Sequence, residues 1–469
     1  MSWEGFKSLL LTLLVGLSFV LTWNLWTYQF QYRTTENTEP INSALVEDGK
    51  RNVADVVQPI EAVYHKDTKH YGVSIGTGVD KVYEKVRNAV FTNFEPYPQA
   101  ITNLTIKEKT NWQEPDRDHI ALVFPSVIPT NLFGKIVLAN LSETRDERKS
   151  NIADGPELYF DRMVIYNISK QDASYLKVFF KKGNKTVARA RLNRISFGDL
   201  SDLFQNSDEY VEVKVDGREL YFPMHPKVAQ VSYVRDGQDG GWIPDEDFKR
   251  ALFTYPDIVD HQGNVYTSNA QVMIVKNHII TLHGTNQPKS NSSKDDQSII
   301  QKSFDYINSH NGWTDDYMLF HMNLSQPEEK VSVAEGKVVY RLLIAMASGK
   351  ALPVFSGSMI GFDPVTLSVS FVNGDIDEYR RSQINFDKNP LDEKEVELPS
   401  GEQVWERLES SDLDLEKLSA VTVGYYMDYP PDAMTIRFSP KWFVRYDGRW
   451  QTIDDLLKKN EEQERRGDE

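Results

Sequence analysis

Apolar and polar positions change rhythm several times along the chain, and each change predicts an element. No residue from Ser8 to Tyr28 is charged, and these 21 residues rising 1.5 Å each would form a helix roughly 30 Å long, the thickness of a bilayer's hydrocarbon core. A removed signal peptide has a shorter apolar part that ends in small residues. Here Val20, Leu21, Thr22 and Trp23 stand where a cut would fall. Residues 8–28 are therefore read as a retained transmembrane helix. Residues 1–7, with Lys7, are placed on the cytoplasmic side, and the bulk of the chain outside. Trp23, Trp26 and Tyr28 are the expected membrane-interface anchors in the lipid headgroup region. Ser8, Thr12 and Gly16 recur every fourth residue, a stripe of small side chains along which a second helix can approach closely. Asn24 continues it with an amide able to hydrogen-bond across a helix pair. These four are the candidate transmembrane partner contacts.

Beyond the helix, residues 29–52 are polar and aperiodic, a juxtamembrane linker. A first extracytoplasmic domain is expected over 53–160. Val79, Val82, Val86 and Val90 fall three and four apart, the spacing of an amphipathic helix, and strands are expected from Ile101 and from Ile120. Over 161–283 the pattern turns to strand pairs around short turns, with a short helix in ISFGDLSDLF from Ile195. Asp216-Gly217 between two alternating runs predicts a hairpin, because glycine supplies the positive φ of a type I′ turn. Residues 284–298, rich in Ser, Asn, Gly and Pro, read as a linker. The last domain, 299–457, opens with the helix SIIQKSFDYINSH. It continues through strands near VVYRLLIAMA and a hairpin turning at Asn373-Gly374, and reaches a helix whose Ser400 and Gln403 have capping-box spacing. A charged tail, 458–469, is expected to fray. The fold class is α+β: one N-terminal transmembrane helix, then a multi-domain, hairpin-rich extracytoplasmic portion. The middle and final parts share a hairpin followed by a short helix, by duplication or coincidence.

Composition narrows the function. With 40% hydrophobic and 12% aromatic residues over 469 positions, the chain can bury a sizeable core. A net charge of -16 offers no basic stripe for phosphates, so nucleic acid is not an expected partner, and acidic wall polymers would be repelled. The absence of cysteine excludes disulfides, thiol catalysis and cysteine-held metals.

Motifs that carry chemistry elsewhere lack their context here. Gly72, Ser74 and Gly76 match G-x-S-x-G, but the preceding HKDTKHY is too polar for the buried parallel strand of a nucleophile elbow. Asp236–Asp247 has the length of a calcium loop, yet Gln238 and Gly240 stand at ligand places, so a tight turn over Trp242 is expected instead. His278 and His283, read as one strand, face opposite ways and cannot share a metal. No catalytic residue, cofactor or metal is expected.

The TWN-W-TY ending of the apolar span, with Leu21, Thr22, Trp23, Asn24, Trp26, Thr27 and Tyr28, carries a resemblance. So does the closing segment GYYMDYPPDAMTIRFSPKWFVRYDGRW, with Pro440, Trp442 and Trp450. Together with the long cysteine-free exterior, these residues resemble the YycH family, regulators of the WalK/WalR (YycG/YycF) two-component system of low-GC Gram-positive bacteria. The resemblance spans the whole chain, and the closing segment is also similar to the companion protein YycI. It implies a single-pass protein with an elongated, three-domain exterior and no enzymatic activity. It also implies a membrane helix that associates with those of the sensor histidine kinase WalK and of YycI, setting kinase output and so cell-wall metabolism. Two other functions fit the residues: an anchored module binding a wall fragment or peptide between its exterior domains, and a serine hydrolase using Ser74.

Overall fold

The computed structural model describes residues 7, 14–18, 44–75, 78–98, 112–139, 152, 156–170, 173–234, 242–284, 298–324, 335–346, 351–356, 363–385, 389–428 and 435–467. The early strands are β1 (Glu61–Lys66), β2 (Lys69–Ser74), β3 (Val90–Pro96), β4 (His119–Pro129), β5 (Tyr159–Lys170), β6 (Ala173–Lys182), β7 (Lys185–Asn193), β8 (Asp208–Val215) and β9 (Arg218–Pro223). They form one antiparallel sheet in the order β3-β7-β6-β5-β4-β1-β2-β8-β9. The later strands are β10 (Lys227–Val234), β11 (Asp260–Gln262), β12 (Val265–Thr267), β13 (Val272–Lys276), β14 (Ile279–His283), β15 (Tyr317–Leu324), β16 (Gly336–Ala345), β17 (Ala351–Ser356), β18 (Thr366–Val372), β19 (Asp375–Ser382), β20 (Asp392–Glu397), β21 (Leu418–Asp428), β22 (Thr435–Tyr446) and β23 (Arg449–Thr452). These build a second sheet, ordered β11-β12-β13-β14-β19-β18-β16-β17-β21-β22-β10-β20, with β15 beside β16 and β23 beside β22.

Local chemistry explains the elements the sequence predicted. In the helix Val79–Arg87, Val79, Val82 and Val86 are buried together, while Val90 opens β3. Asp216 and Gly217 both take positive φ (47° and 72°), as do Asn373 and Gly374 (53° and 82°), the two left-handed positions whose twist suits a two-residue hairpin. The helix Gly401–Glu409 is capped reciprocally: Gln403 N donates to Ser400 Oγ and Ser400 N to Gln403 Oε1. The short helix Phe197–Ser201 has the same device in Ser196 and Asp199. The architecture is β-rich α+β with many hairpins.

The domain limits differ from those expected. The division at 160/161 falls inside β5, which pairs with β4 and β6. The expected central domain is parted between the sheets, β5–β9 joining the first and β10–β14 the second, so the described strands form two sheets. The expected linker ends inside the fold: Leu45 N donates to His310 O, Trp313 N to Gly49 O, and Arg51 N to Asn308 Oδ1. Residues 458–467 of the expected frayed tail continue a helix, Ile453–Gly467. The expected strand from Ile101 and residues 285–297 of the linker lie outside the described residues, and among those described no helix is long and apolar enough to cross a membrane.

One main core, running from Leu45 to Leu456, serves both sheets. Met322 N of β15 donates to Ser126 Oγ of β4 at 2.9 Å. The helix Gly401–Glu409 sits on β9 so closely that a Cβ at Gly401 would lie 2.6–2.7 Å from Phe222 and Pro223. The Phe222 ring is fully buried there, facing Trp405 and Trp442. Its burial alone contributes about 2–3 kcal/mol.

Candidate functional site

The strand period of two gives the first sheet two unlike faces. Ala62, Ile120, Leu122, Met163 and Ile165 enter the main core. Glu61, Val63 and His65 of β1 point the other way, and register places His65 opposite both His70 of β2 and His119 of β4, with His119 opposite Tyr166 of β5. Four ring-bearing side chains thus cross four adjacent strands in a row. His65 stacks on His119 (centroids 4.1 Å, interplanar 12°), meets His70 edge-on at 4.7 Å, and touches Tyr221 of β9 at 5.5 Å.

Around His65 the polar atoms are close. Its Nδ1 lies 2.9 Å from His70 Nδ1 and 3.5 Å from Glu212 Oε2, and His70 Nε2 is 3.4 Å from the same oxygen. On the far side, His65 Nε2 is 3.2 Å from Tyr221 Oη, which donates to Glu219 Oε2 at 3.1 Å. Burial would push the Glu212 carboxyl up, but the hydrogen bond and charge of His65, with Lys214 and His70, bring it down to about 2. His70 titrates below its ordinary range, through burial first and then the neighbouring His65. Burial and the same neighbour lower His119 to about 4. Against burial, the charges of Arg162 and Lys181 hold the Glu219 carboxyl below its usual range. Arg162 also donates to Glu219, from Nη1 to its carboxylate Oε2 and from Nη2 to its carbonyl. Further along the face, Glu114 accepts from Tyr166 Oη at 2.9 Å and pairs with Lys181 at 2.9 Å.

Two cavities open between the sheets where this face ends. One, of about 320 Å³, is lined by Ser74, Tyr210, His225 and Val423 among others. The second, of about 340 Å³, is lined by Arg162, Arg218, His321 and Arg445. Ile60, Glu61, Tyr221 and Val421 border both. Burial, partly offset by the charge of Arg162, lifts Glu61 to about 8, so this side chain gains or loses its charge near neutral pH.

Among the expected site residues, Ser8, Thr12, Trp23, Asn24, Trp26 and Tyr28 lie outside the described residues. Gly16 falls in a helical run, 14–18, beside the exposed Leu14, Val15 and Leu17, and a Cβ placed on it would meet nothing within 4 Å. Ser74 ends β2, whose neighbours β1 and β8 are both antiparallel. Gly72 is required for packing, since a Cβ there would lie 2.3–2.5 Å from the Tyr210 ring. Residues 236–241 of the acidic loop are outside the described residues. Trp242 stacks on His278 at 3.6 Å, and His278 lies in the β13–β14 turn rather than in a strand with His283. The sequence reading missed His65, His70, His119 and Glu212. The available signal was HKDTKH, in which two histidines stand symmetrically about Asp67-Thr68.

Comparison with known proteins agrees with this architecture. The N-terminal domain model of the YycH protein matches residues 4–209, and its C-terminal domain model matches 218–461. The chain belongs to the YycH family. The seam between the two matched regions falls at the β8–β9 hairpin, close to the junction of the sheets. The chain is similar to the Bacillus subtilis (strain 168) protein named "Two-component system WalR/WalK regulatory protein YycH", 23% identical over 477 positions that cover 97% of this chain and 98% of that one. It is also similar in fold to the crystal structure of YycH from Bacillus subtilis, with a TM-score of 0.60 and 18% identity over 88% of this chain and 99% of that one.

Proposed function

We propose that the chain is a membrane-anchored regulator of a WalK-like sensor histidine kinase, and that it has no enzymatic activity. The observation that carries this is the end-to-end alignment with a relative named as a WalR/WalK regulatory protein, which leaves no large part of either chain without a counterpart. On this reading residues 8–28 span the bilayer, with the bulk of the chain extracytoplasmic. Ser8, Thr12, Gly16 and Asn24 contact a partner helix from the kinase or a YycI-like companion, while Trp23, Trp26 and Tyr28 hold the interface. The regulated output is cell-wall metabolism. A contact of this kind acts only through a difference in affinity for two kinase states. Catalysis by Ser74 lacks support, because His70 on the same strand has its ring nitrogens 2.9 and 3.4 Å from His65 and Glu212.

The experiment exchanges residues 8–28 for an unrelated membrane helix and measures a kinase-dependent reporter in cells. Loss of regulation with the exterior folded and exported supports the helix contact; full regulation overturns it. A second reading rests on the two adjoining cavities: an exterior cleft that senses a wall fragment or peptide. Val421 borders both cavities, so Val421→Trp should abolish regulation on that reading and leave it intact on the first.

A further inference from the structure

We propose that His65, His70 and Glu212 form a site for one divalent cation of the zinc type, which staples the β8–β9 hairpin to the β1–β2 hairpin. One ligand atom from each of the three lies within 4.8 Å of the other two. A tetrahedral zinc with bonds near 2.0–2.1 Å holds its ligands about 3.3–3.4 Å apart. Glu212 Oε2 lies 3.5 Å from His65 Nδ1 and 3.4 Å from His70 Nε2, close to that spacing, whereas the His70 nitrogen 2.9 Å from His65 Nδ1 is its other one, Nδ1, so an ion held by His70 through either nitrogen requires that ring to turn.

Hydrogen-bond direction supports the donor set. Glu219 is ionised and can only accept, so Tyr221 Oη donates to it and has a lone pair left for His65 Nε2–H. The proton of neutral His65 is then on Nε2, and its Nδ1 lone pair faces His70 and an anionic oxygen. Such an arrangement repels itself unless a proton or a cation stands within it. An acceptor on the far nitrogen, itself tied to a carboxylate, is also what fixes the tautomer of a metal-bound histidine.

The site lies where the sheet is narrowly joined. β2 and β8 share three residue pairs, His70↔Tyr210, Tyr71↔Glu209 and Gly72↔Asp208, whereas β1 with β2 and β8 with β9 share six each. A cation held from both sides would close that seam. The titratable neighbours are His119, stacked on His65, the Lys69–Glu209 pair, and Lys214, whose Nζ is 3.3 Å from Glu212 Oε1. Lys214 is mostly exposed and occupies the other carboxylate oxygen, so it can swing into water as the ion enters. The inference is independent of the regulatory reading, since a chain that binds no zinc could still act on a kinase.

The test uses the full-length chain in detergent, stripped with a chelator and titrated with ZnCl2 alone by calorimetry, with thermal unfolding and Co²⁺ absorption measured alongside. One equivalent should bind, Tm should rise with free zinc as binding to the folded state requires, and cobalt should show the visible bands of a four-coordinate site. His70→Ala and Glu212→Gln should lose all three. Tyr221→Phe should keep the stoichiometry and weaken affinity roughly 10–100-fold. Absence of binding by the folded parent, or binding and Tm shift unchanged in the two ligand variants, overturns the site. Should His70→Ala fail to fold by circular dichroism, Glu212→Gln decides alone.

Discussion

In the second sheet, Arg381 is fully buried, yet its donors are distributed to fixed acceptors: Nε to Ser382 O, Nη1 to Gly312 O, and Nη2 to Thr314 Oγ1. In the first sheet, His65 is nearly as buried, but its Nδ1 faces two further acceptors, His70 Nδ1 and Glu212 Oε2. Both clusters join strands to neighbouring elements. The Arg381 cluster, in the second sheet, is complete as it stands and belongs to the architecture. The His65 cluster needs a proton or a cation between its lone pairs, which is why it, and not Arg381, is the candidate for a ligand.

The largest expected effect separates them directly. Arg381→Met strands three acceptors in the core and should lower stability by about 3–5 kcal/mol. In urea this appears as a fall in the midpoint with an unchanged slope. Glu212→Gln, without added metal, should cost less, about 1–2 kcal/mol, because it gives up the contacts of Glu212 with His65, His70 and the exposed Lys214. Equal losses would erase the distinction.

The next effect is in pH. Glu61 has a folded pKa of about 8 against an ordinary 4.5. The folded chain therefore keeps a proton that the unfolded chain has released between those values. Its contribution is fully present below 4.5 and is lost as pH rises toward 8. Glu61→Gln should remove that slope, leaving the variant about 2–4 kcal/mol more stable than the parent at alkaline pH. Denaturation midpoints from pH 5 to 9 give the measurement, and parallel curves would refute it.

Histidines act with the opposite sign. His310 in the second cluster is lowered to about 3 by burial and the charge of Arg381, and His119 in the first to about 4. The unfolded chain binds protons first as pH falls below 6.5, so stability present above 6.5 is lost toward pH 4 from each residue, by about 2–3 kcal/mol. His310→Gln and His119→Gln should each flatten the acid limb. The His310 change should extend the flattening lower, below pH 4. An acid limb identical to the parent's in both variants would contradict the assignment.

What the sequence disclosed follows the range of the forces involved. The Val79, Val82 and Val86 helix, the Asp216-Gly217 and Asn373-Gly374 turns and the Ser400–Gln403 cap depend on residues within a few positions of one another, and all were legible. The insertion of β1 between β4 and β2, and the loss of β10–β14 to the second sheet, depend on partners far along the chain. Two histidine pairs show the same limit. His65 and His70, and His278 and His283, are each five apart, but the first pair straddles a two-residue turn and ends up face to face. In the second pair His278 is itself in the turn, and His283 pairs with Val272. Spacing predicts a shared site only after the turn has been located, and for HKDTKH the pair Lys66↔Lys69 locates it at Asp67-Thr68.

The smallest effect tests the same contrast with a single oxygen in each sheet. Tyr379 Oη makes only long contacts, 3.3 Å to His310 Nε2 and 3.5 Å to Arg381 Nη1, and Arg381 keeps its shorter bonds without it. Tyr379→Phe should cost no more than about 0.5 kcal/mol. Tyr221 Oη stands between His65 Nε2 and Glu219 Oε2 at 3.2 and 3.1 Å, so Tyr221→Phe strands the Nε2 proton and should cost about 1–1.5 kcal/mol. The order of the two matters more than either value. If Tyr379→Phe were the costlier change, the second cluster would depend on its hydroxyl as the first does, and completeness of hydrogen bonding would no longer distinguish the structural cluster from the one awaiting a ligand.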